Sequence, residues 1–370
     1  MKRIVLTGGG SGGHVLPLIA VADALPKLDV DLELIYMGPR DSYEAEFLKR
    51  DIRVSSVVSS KLRRYFSLSN IVDFPKFLVS LIQALCKLYV LMPDIVFSKG
   101  GPGALPVVLA AKFYMIPIVI HESDTVPGLT NKISGKLARK IAISFEESAA
   151  YFNGSKVTVS GNPVRAALME EVPSKDVARE RLGFDKTLPL IFVLGGSQGA
   201  TRINQFIFDN FEPLLKEFQI CHQVGAANFE DAKPVVMSLS KEMSSLYFSR
   251  YKIFGFMETE ELKNALAAAD IVFSRSGSAS IFETAFFGKP SILVPLPEAA
   301  GDHQKMNAYA YAKTGAAIVI EGDNLKLDVV VIKIKDILNG PGTYSQMSAA
   351  AKGFAKPDAA NVIAKEILSV

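Results

Sequence analysis

Twice in this chain a short strand-forming run ends on glycines that lead into a helical pattern, and this repeated juncture limits the fold more than any other feature. Ile4-Val5-Leu6-Thr7 runs into Gly8-Gly9-Gly10-Ser11-Gly12-Gly13-His14, and Leu190-Ile191-Phe192-Val193-Leu194 runs into Gly195-Gly196-Ser197-Gln198-Gly199. Further short apolar, β-branched runs stand at 94–97, 117–121, 157–160, 270–273 and 291–294, separated by helical periodicity. Such alternation marks parallel, doubly wound α/β sheets. With 370 residues the chain is too long for one ordinary core. The pattern restarts after Gly161-Asn162-Pro163, and a second break, Asn339-Gly340-Pro341-Gly342, precedes a closing helical stretch. The expected domains are therefore 1–162, 163–341, and a closing helical segment 342–370. In such sheets ligands sit at the carboxyl ends of the strands, so the glycine loops mark a ligand cleft.

Glycine without a Cβ lets main-chain N–H groups approach an anion, and a helix N-terminus adds a favourable field. The first loop thus suits a diphosphate or a sugar and delivers His14 onto the first helical turn. It contains G-x-G-x-x-G (Gly8, Gly10, Gly13), but a dinucleotide fold also needs an acidic residue closing the next strand. That strand, Leu32 to Met37, closes on Gly38 instead. On the loop alone, a turn that merely packs strand against helix remains open.

Net charge is +3, and no basic strip interleaved with aromatics favours nucleic acid. Residues 1–160 carry 19 basic and 14 acidic side chains against 22 and 24 in the remainder, so the first half is mildly basic. Cys86 and Cys221 lie in apolar stretches and read as buried small hydrophobes in a reducing cytoplasm. Mean hydropathy, +0.24, is high for a soluble protein and suggests contact with a membrane. The longest apolar stretch, Ile71 to Met92, is broken by Asp73, Pro75, Lys76, Gln83 and Lys87, too often for a spanning helix. Residues 53 to 87 hold six basic side chains, Arg53, Lys61, Arg63, Arg64, Lys76 and Lys87, against Asp73 alone. Ile71, Phe74, Phe77, Leu78, Leu81, Ile82, Leu85, Leu88 and Tyr89 recur there at helical spacing. Part of that stripe must pack on the sheet. A free edge beside the basic residues would suit an anionic leaflet, which predicts peripheral attachment to the cytoplasmic face of the membrane.

Seven short motifs follow in order: Gly10-Ser11-Gly12-Gly13-His14-Val15, His121-Glu122, Gly128-Leu129-Thr130-Asn131-Lys132, Gly161-Asn162-Pro163-Val164-Arg165, Gly195-Gly196-Ser197-Gln198-Gly199-Ala200, Ser274-Arg275-Ser276-Gly277 with Glu283, and Asp302-His303-Gln304 with Asn307-Ala308. Together they resemble the MurG family of N-acetylglucosaminyltransferases, which convert lipid I to lipid II in bacterial peptidoglycan synthesis. The resemblance implies a GT-B fold, two Rossmann-like domains of which the N-terminal binds the acceptor and the C-terminal mainly UDP-GlcNAc, with the closing segment 342–370 packing back on the first domain. It implies UDP-GlcNAc, lipid I and an anionic membrane surface as partners, with other cell-wall synthesis proteins as further candidates. It places Ser11, Gly12, Gly13 and Asn131 near the donor sugar, Gln304 on its hydroxyls, and the main chain around Met257 on uracil.

The residues themselves read compatibly. Ser276-Gly277 caps a helix whose first-turn groups, Ser278, Ala279, Ser280, Ile281 and Phe282, are candidates to face a diphosphate, and Glu283 follows within reach of ribose hydroxyls. Ser197 is a further donor contact. Arg165, at the hinge, suits a charge-assisted bond to the leaving diphosphate, with a local ion pair as the alternative. Where the family usually has an aromatic and a serine, this chain reads Ser98-Lys99-Gly100-Gly101-Pro102, so Lys99, Gly100 and Gly101 are candidates for the acceptor diphosphate.

Inverting transfer needs a base for the acceptor hydroxyl. His14 is the first candidate, since a helix N-terminus disfavours its protonated form. An orienting role is its alternative, and Glu122 is the second catalytic candidate. No Cys/His cluster has metal-ligand spacing, so no metal or other cofactor is expected. Two other classes stay open: a related GT-B glycolipid glycosyltransferase and a UDP-GlcNAc 2-epimerase-like enzyme.

Overall fold

The computed structural model describes residues 1–10, 12–40, 43–58, 69–101, 103–195, 200–241, 243–296 and 302–370. The chain forms two compact units, one of residues 1–165 with 356–370 and one of 166–355. Among the described residues the first holds seven strands: β1 (Lys2–Gly8), β2 (Leu32–Tyr36), β3 (Arg53–Val54), β4 (Ile95–Gly100), β5 (Ile118–Glu122), β6 (Lys140–Ile143) and β7 (Val157–Val159). Their order is β3-β2-β1-β4-β5-β6-β7, all parallel. The second holds β8 (Leu190–Leu194), β9 (Gln219–Gln223), β10 (Tyr251–Phe254), β11 (Ile271–Ser274), β12 (Ser291–Leu293) and β13 (Ala317–Val319), again parallel, in the order β10-β9-β8-β11-β12-β13.

The same winding sets the site of each unit. After β1 the chain builds outward through β2 and β3, then crosses back to place β4 on the other side of β1. After β8 it does the same with β9, β10 and β11. At such a reversal the connections leave in opposite directions and open a crevice at the carboxyl ends. The loops after β1 and β4, and those after β8 and β11, are the glycine-rich segments singled out above. The strands have no hydrophobic alternation because both faces are covered: β4, β5, β8, β9 and β11 are buried at every residue.

The expected boundaries move at two places. Pro163, Val164 and Arg165 belong to the first unit, because Ser160 and Gly161 both donate to the Ile143 carbonyl (2.9 and 3.2 Å) and Val164 is buried. The returning segment starts at Lys356 rather than 342. The Thr343–Phe354 helix stays in the second unit, with the Phe354 ring tilted against those of Phe282 and Tyr311, 4.9 Å from each between centroids. Only the Ala359–Leu368 helix returns, burying Ile363, Ala364 and Ile367 against the Gly12–Leu28 helix, while Glu366 accepts from Lys140 (2.6 Å) and Thr158 (3.1 Å).

The apolar stretch around residue 80 is one continuous helix, Ser69–Leu91, despite Pro75. Its Phe74–Leu91 portion is long and apolar enough to cross a membrane by length and composition alone. It packs through Ala84, Leu88 and Leu91. Phe74, Leu78, Val79, Ile82 and Tyr89 remain exposed, and so does Cys86, contrary to its reading as a core residue. Cys221, on β9, is buried as expected. Lys61, Arg63 and Arg64 lie outside the described residues.

Candidate active site

In the first unit the ends of β1, β4 and β5 converge. His14 stands half-buried on the first turn of the Gly12–Leu28 helix, beside buried Gly12 and exposed Gly13. Its ring lies against Gly101, where a Cβ would come within 3.0 Å of His14 Cγ and 2.6 Å of the Gly9 carbonyl. At Gly100 a Cβ would meet Asn131 Oδ1 at 2.6 Å. Both glycines also adopt φ above +80°, so this loop takes no other residue without strain. Asn131 Nδ2 donates in turn to Glu122 Oε2 (2.9 Å) and to the His121 carbonyl (3.1 Å). Its Oδ1 is buried without a protein partner. The structure thus brings His14, Gly100, Gly101, Asn131 and Glu122 into one cluster.

Glu122 is buried at the end of β5, and its Oε1 accepts from the Asp124 amide (2.9 Å). Burial, reinforced by the Asp124 carboxylate, pushes its pKa up, against the pull of Lys99, that amide and Asn131. Lys99 is buried too and donates from Nζ to Ser123 Oγ (2.9 Å). Burial pulls its pKa down while Glu122 and Asp124 raise it. Lys99 is therefore part of a buried charge cluster, not the open anion contact that its place beside two glycines suggested. Burial also holds His121 well below the usual imidazole range. That leaves a neutral ring whose Nε2–H donates to the Gly161 carbonyl (3.1 Å), with Ser144 Oγ also 3.1 Å away. Arg165 is half-buried at the end of the unit.

In the second unit, Gly277 at the end of β11 is the N-cap of the Ser278–Phe286 helix. Among the described residues a Cβ there would meet nothing within 4 Å. The first-turn N–H groups of Ser278, Ala279 and Ser280 have no intrahelical acceptor, as at any helix start. Ser278 Oγ is buried without a partner. Two predicted contacts change character: the Ile281 amide donates to the Gly277 carbonyl (3.1 Å), and the Ile281 and Phe282 side chains are in the core. Neither can reach a ligand by its side chain. Glu283 is largely buried one turn on.

Gln304, buried on the first turn of the His303–Ala312 helix, accepts at Oε1 from Arg275 Nε and the Leu296 amide, both 3.4 Å. Ser276 Oγ donates to the Gln304 carbonyl (2.7 Å) and Asn307 to the Ser276 carbonyl (3.2 Å), so this helix is sewn to the loop after β11. Met257 is buried, and its amide donates to Gln223 Oε1 (3.1 Å). Ser11 and Ser197 lie outside the described residues. Sequence reasoning missed Ser123 and Asp124, which set the charge around Glu122, and Gln223. For Ser123 and Asp124 the available signal was their position just after a strand's carboxyl end; Gln223 had none. Among the described residues no group of three or more His, Cys, Asp or Glu is arranged to hold a metal.

Comparison with known proteins identifies the family. Residues 4–143 match the glycosyltransferase family 28 N-terminal domain and residues 190–363 its C-terminal domain. A Treponema denticola protein, the UDP-N-acetylglucosamine–N-acetylmuramyl-(pentapeptide) pyrophosphoryl-undecaprenol N-acetylglucosamine transferase, is 35% identical, over 98% of this chain and 96% of its own. The Clostridium kluyveri protein of the same name is 34% identical over 99% of both chains. Among solved structures, Acinetobacter baumannii MurG superposes with a TM-score of 0.74 over the whole of both chains at 23% identity. The UDP-GlcNAc 2-epimerase of Neisseria meningitidis does so at 0.69 and 15%. These structural likenesses show a shared GT-B fold.

Proposed function

The chain belongs to glycosyltransferase family 28, among the MurG N-acetylglucosaminyltransferases, and from that premise we propose how its residues divide the reaction. The enzyme transfers GlcNAc from UDP-GlcNAc to lipid I in peptidoglycan synthesis. Near-full-length identity to transferases of that name favours it over a 2-epimerase, to which it is like in fold alone. The observation that carries the residue assignment is topological: the loops read as ligand-binding stand at the switch points of the two sheets.

Transfer is inverting. His14 takes the proton from the C4 hydroxyl of the MurNAc unit as its oxygen attacks the anomeric carbon of GlcNAc, and the bond to UDP breaks on the opposite face. Asn131 and the Gly12–Gly13 main chain lie along the donor sugar, and Glu122, tied to Asn131, shapes the acceptor side and can hold a proton. Gly100 and Gly101 give the acceptor diphosphate close access to main chain, with Lys99 beneath them. In the second unit the Ser278–Ala279–Ser280 amides and Ser278 Oγ receive the donor diphosphate, with Ser197 as a further donor contact, while Glu283 accepts from the ribose hydroxyls. Arg165, which belongs to the first unit, is the charge-assisted partner of the leaving diphosphate. Gln304 already uses Oε1 on Arg275 and Leu296, so its Nε2 is the group for a sugar hydroxyl. Helix amides and Arg165 balance the leaving charge, so the reaction proceeds without a metal.

A transfer assay tests this directly. With radiolabelled UDP-GlcNAc and a short-chain lipid I analogue, label moves into the lipid product at the same rate with and without EDTA. Label that stays in the nucleotide sugar in folded protein removes the function, and a rate abolished by EDTA removes the metal-free step.

Attachment is peripheral, on the cytoplasmic face. Its support is the exposed edge of the Ser69–Leu91 helix, with Phe74 59% and Ile82 61% accessible, beside Phe113 and Met115 on the neighbouring surface and with Lys76 also exposed. An apolar patch of that kind on a water-soluble surface marks an interaction site, and each nearby Lys or Arg adds about 1 kcal/mol at an anionic leaflet. The protein is expected to sediment with phosphatidylglycerol-rich vesicles, less with phosphatidylcholine, and to be released by salt. Substituting Phe74 and Ile82 by Ser should abolish the binding. Equal binding to both vesicles, or an unaffected double variant, contradicts the assignment.

A further inference from the structure

β9 ends on Gln223, flanked in register by Leu194 at the end of β8 and Phe254 at the end of β10. Its two carbonyl groups serve different segments. The main-chain oxygen accepts from the amide of Gly195, the first residue of the second glycine loop (3.1 Å), and Oε1 accepts from the amide of Met257 (3.1 Å). Gln223 is 3% exposed and Met257 1%. The stretch 255–257 is therefore pinned at three places: by β10 before it, by the reciprocal Glu258–Glu261 capping box after it, and by Gln223 in the middle.

We infer that Gln223 is a positioning residue for the nucleobase of the donor, its carboxamide oxygen fixing the Met257 main chain as the edge that uracil meets. The inference rests on the donor reading that the family resemblance implies, in which the main chain around Met257 meets uracil. A buried amide with no acceptor is unfavourable, so without Oε1 the 255–257 stretch must turn its N–H elsewhere and lose the orientation that the base requires. Because the bond to Gly195 comes from the main chain, a side-chain change at Gln223 severs, among the described residues, the tie to Met257 alone. The Gly195 amide keeps its acceptor. The effect falls on affinity for the nucleotide and leaves turnover of the bound complex alone, which is the pattern of lost uniform binding.

Gln223→Met keeps the length of the side chain and removes the acceptor. Its KM for UDP-GlcNAc and its Kd for UDP and UMP, measured by calorimetry, should all rise by the same factor of roughly ten. The kcat and the KM for the lipid I analogue should change less than about threefold. Gln223→Glu, which retains an oxygen for the Met257 amide, should recover most of the UDP affinity. A Met variant that binds UDP like wild type, a Glu variant as impaired as the Met variant, or a loss that appears in kcat overturns the positioning role. If the unsubstituted protein fails to bind UDP, the donor reading itself fails, a separate result.

Discussion

His14→Ala should lower kcat by roughly a hundredfold or more while calorimetric affinity for UDP barely moves, because a positioned proton acceptor contributes about 10²–10⁴ to rate. The expectation draws on placement: the imidazole leaves the first turn of the Gly12–Leu28 helix half-buried and lies against Gly101, with the Asn131–Glu122 pair behind Gly100. Nucleotide recognition is assigned to the second unit, so removing the ring should spare it. Gly101→Ala offers a check that leaves the ring in place. A methyl at that φ of +86°, 3.0 Å from His14 Cγ, must displace either the ring or the loop, and kcat should fall in that variant as well. If His14→Ala turns over at a near-normal rate, the base is elsewhere. The search then passes to Glu122, whose carboxyl is pushed upward by burial and so can hold a proton at higher pH than an exposed glutamate.

The strands were legible because parallel strands covered on both faces are short apolar runs bounded by glycine. Leu190–Leu194 and Ile271–Phe273 need no knowledge of their neighbours to be found. The two glycine loops were legible for the same reason. What the linear pattern could not show was which sheet a helix chooses. Thr343–Phe354 and Ala359–Leu368 read as one closing segment, yet they part at Lys356 because Phe354 meets Phe282 and Tyr311 whereas Ile363 and Ile367 meet the Gly12–Leu28 helix. Burial was invisible in the same way. Lys99 beside two glycines looks like an open anion contact until β5 brings Glu122 and Ser123 next to it. Gln223 carries no local signal at all. Its role exists only because β9 lies between β8 and β10, an order that a single sequence does not state.

Asp270→Ala should destabilise the second unit by about 3–5 kcal/mol, the loss typical of removing one partner from a buried ion pair. Asp270 stands just before β11, and one carboxylate serves several groups there. Its Oδ2 accepts from Arg179 (2.5 Å) and from the Leu190 amide at the start of β8 (2.8 Å), and Oδ1 accepts from Lys175. Arg179 is 1% exposed. Lys289, also buried, donates to the Ala267 and Ala269 carbonyls, and Asp270 is the charge that supports its ammonium. Without the carboxylate the buried Arg179 and Lys289 lose their shared counter-charge, and their hydrogen bonds go to main-chain carbonyls. For a unit of this size the midpoint should drop by roughly 10 °C in a thermal melt. Asp270→Asn separates charge from hydrogen bonding, since its amide oxygen can still accept from Leu190. Most of the loss should persist in it, and an Asn variant as stable as wild type would assign the effect to the backbone bond. Burial holds Lys289 down to about 8 from 10.5, so between those values the unfolded chain binds a proton that the native unit lacks, and stability rises with pH across that window. Losing Asp270 pushes the lower edge of the window further down. The cluster lies at the amino ends of the strands and the glycine loops at their carboxyl ends, so UDP affinity well below the melting midpoint should be unchanged in both variants.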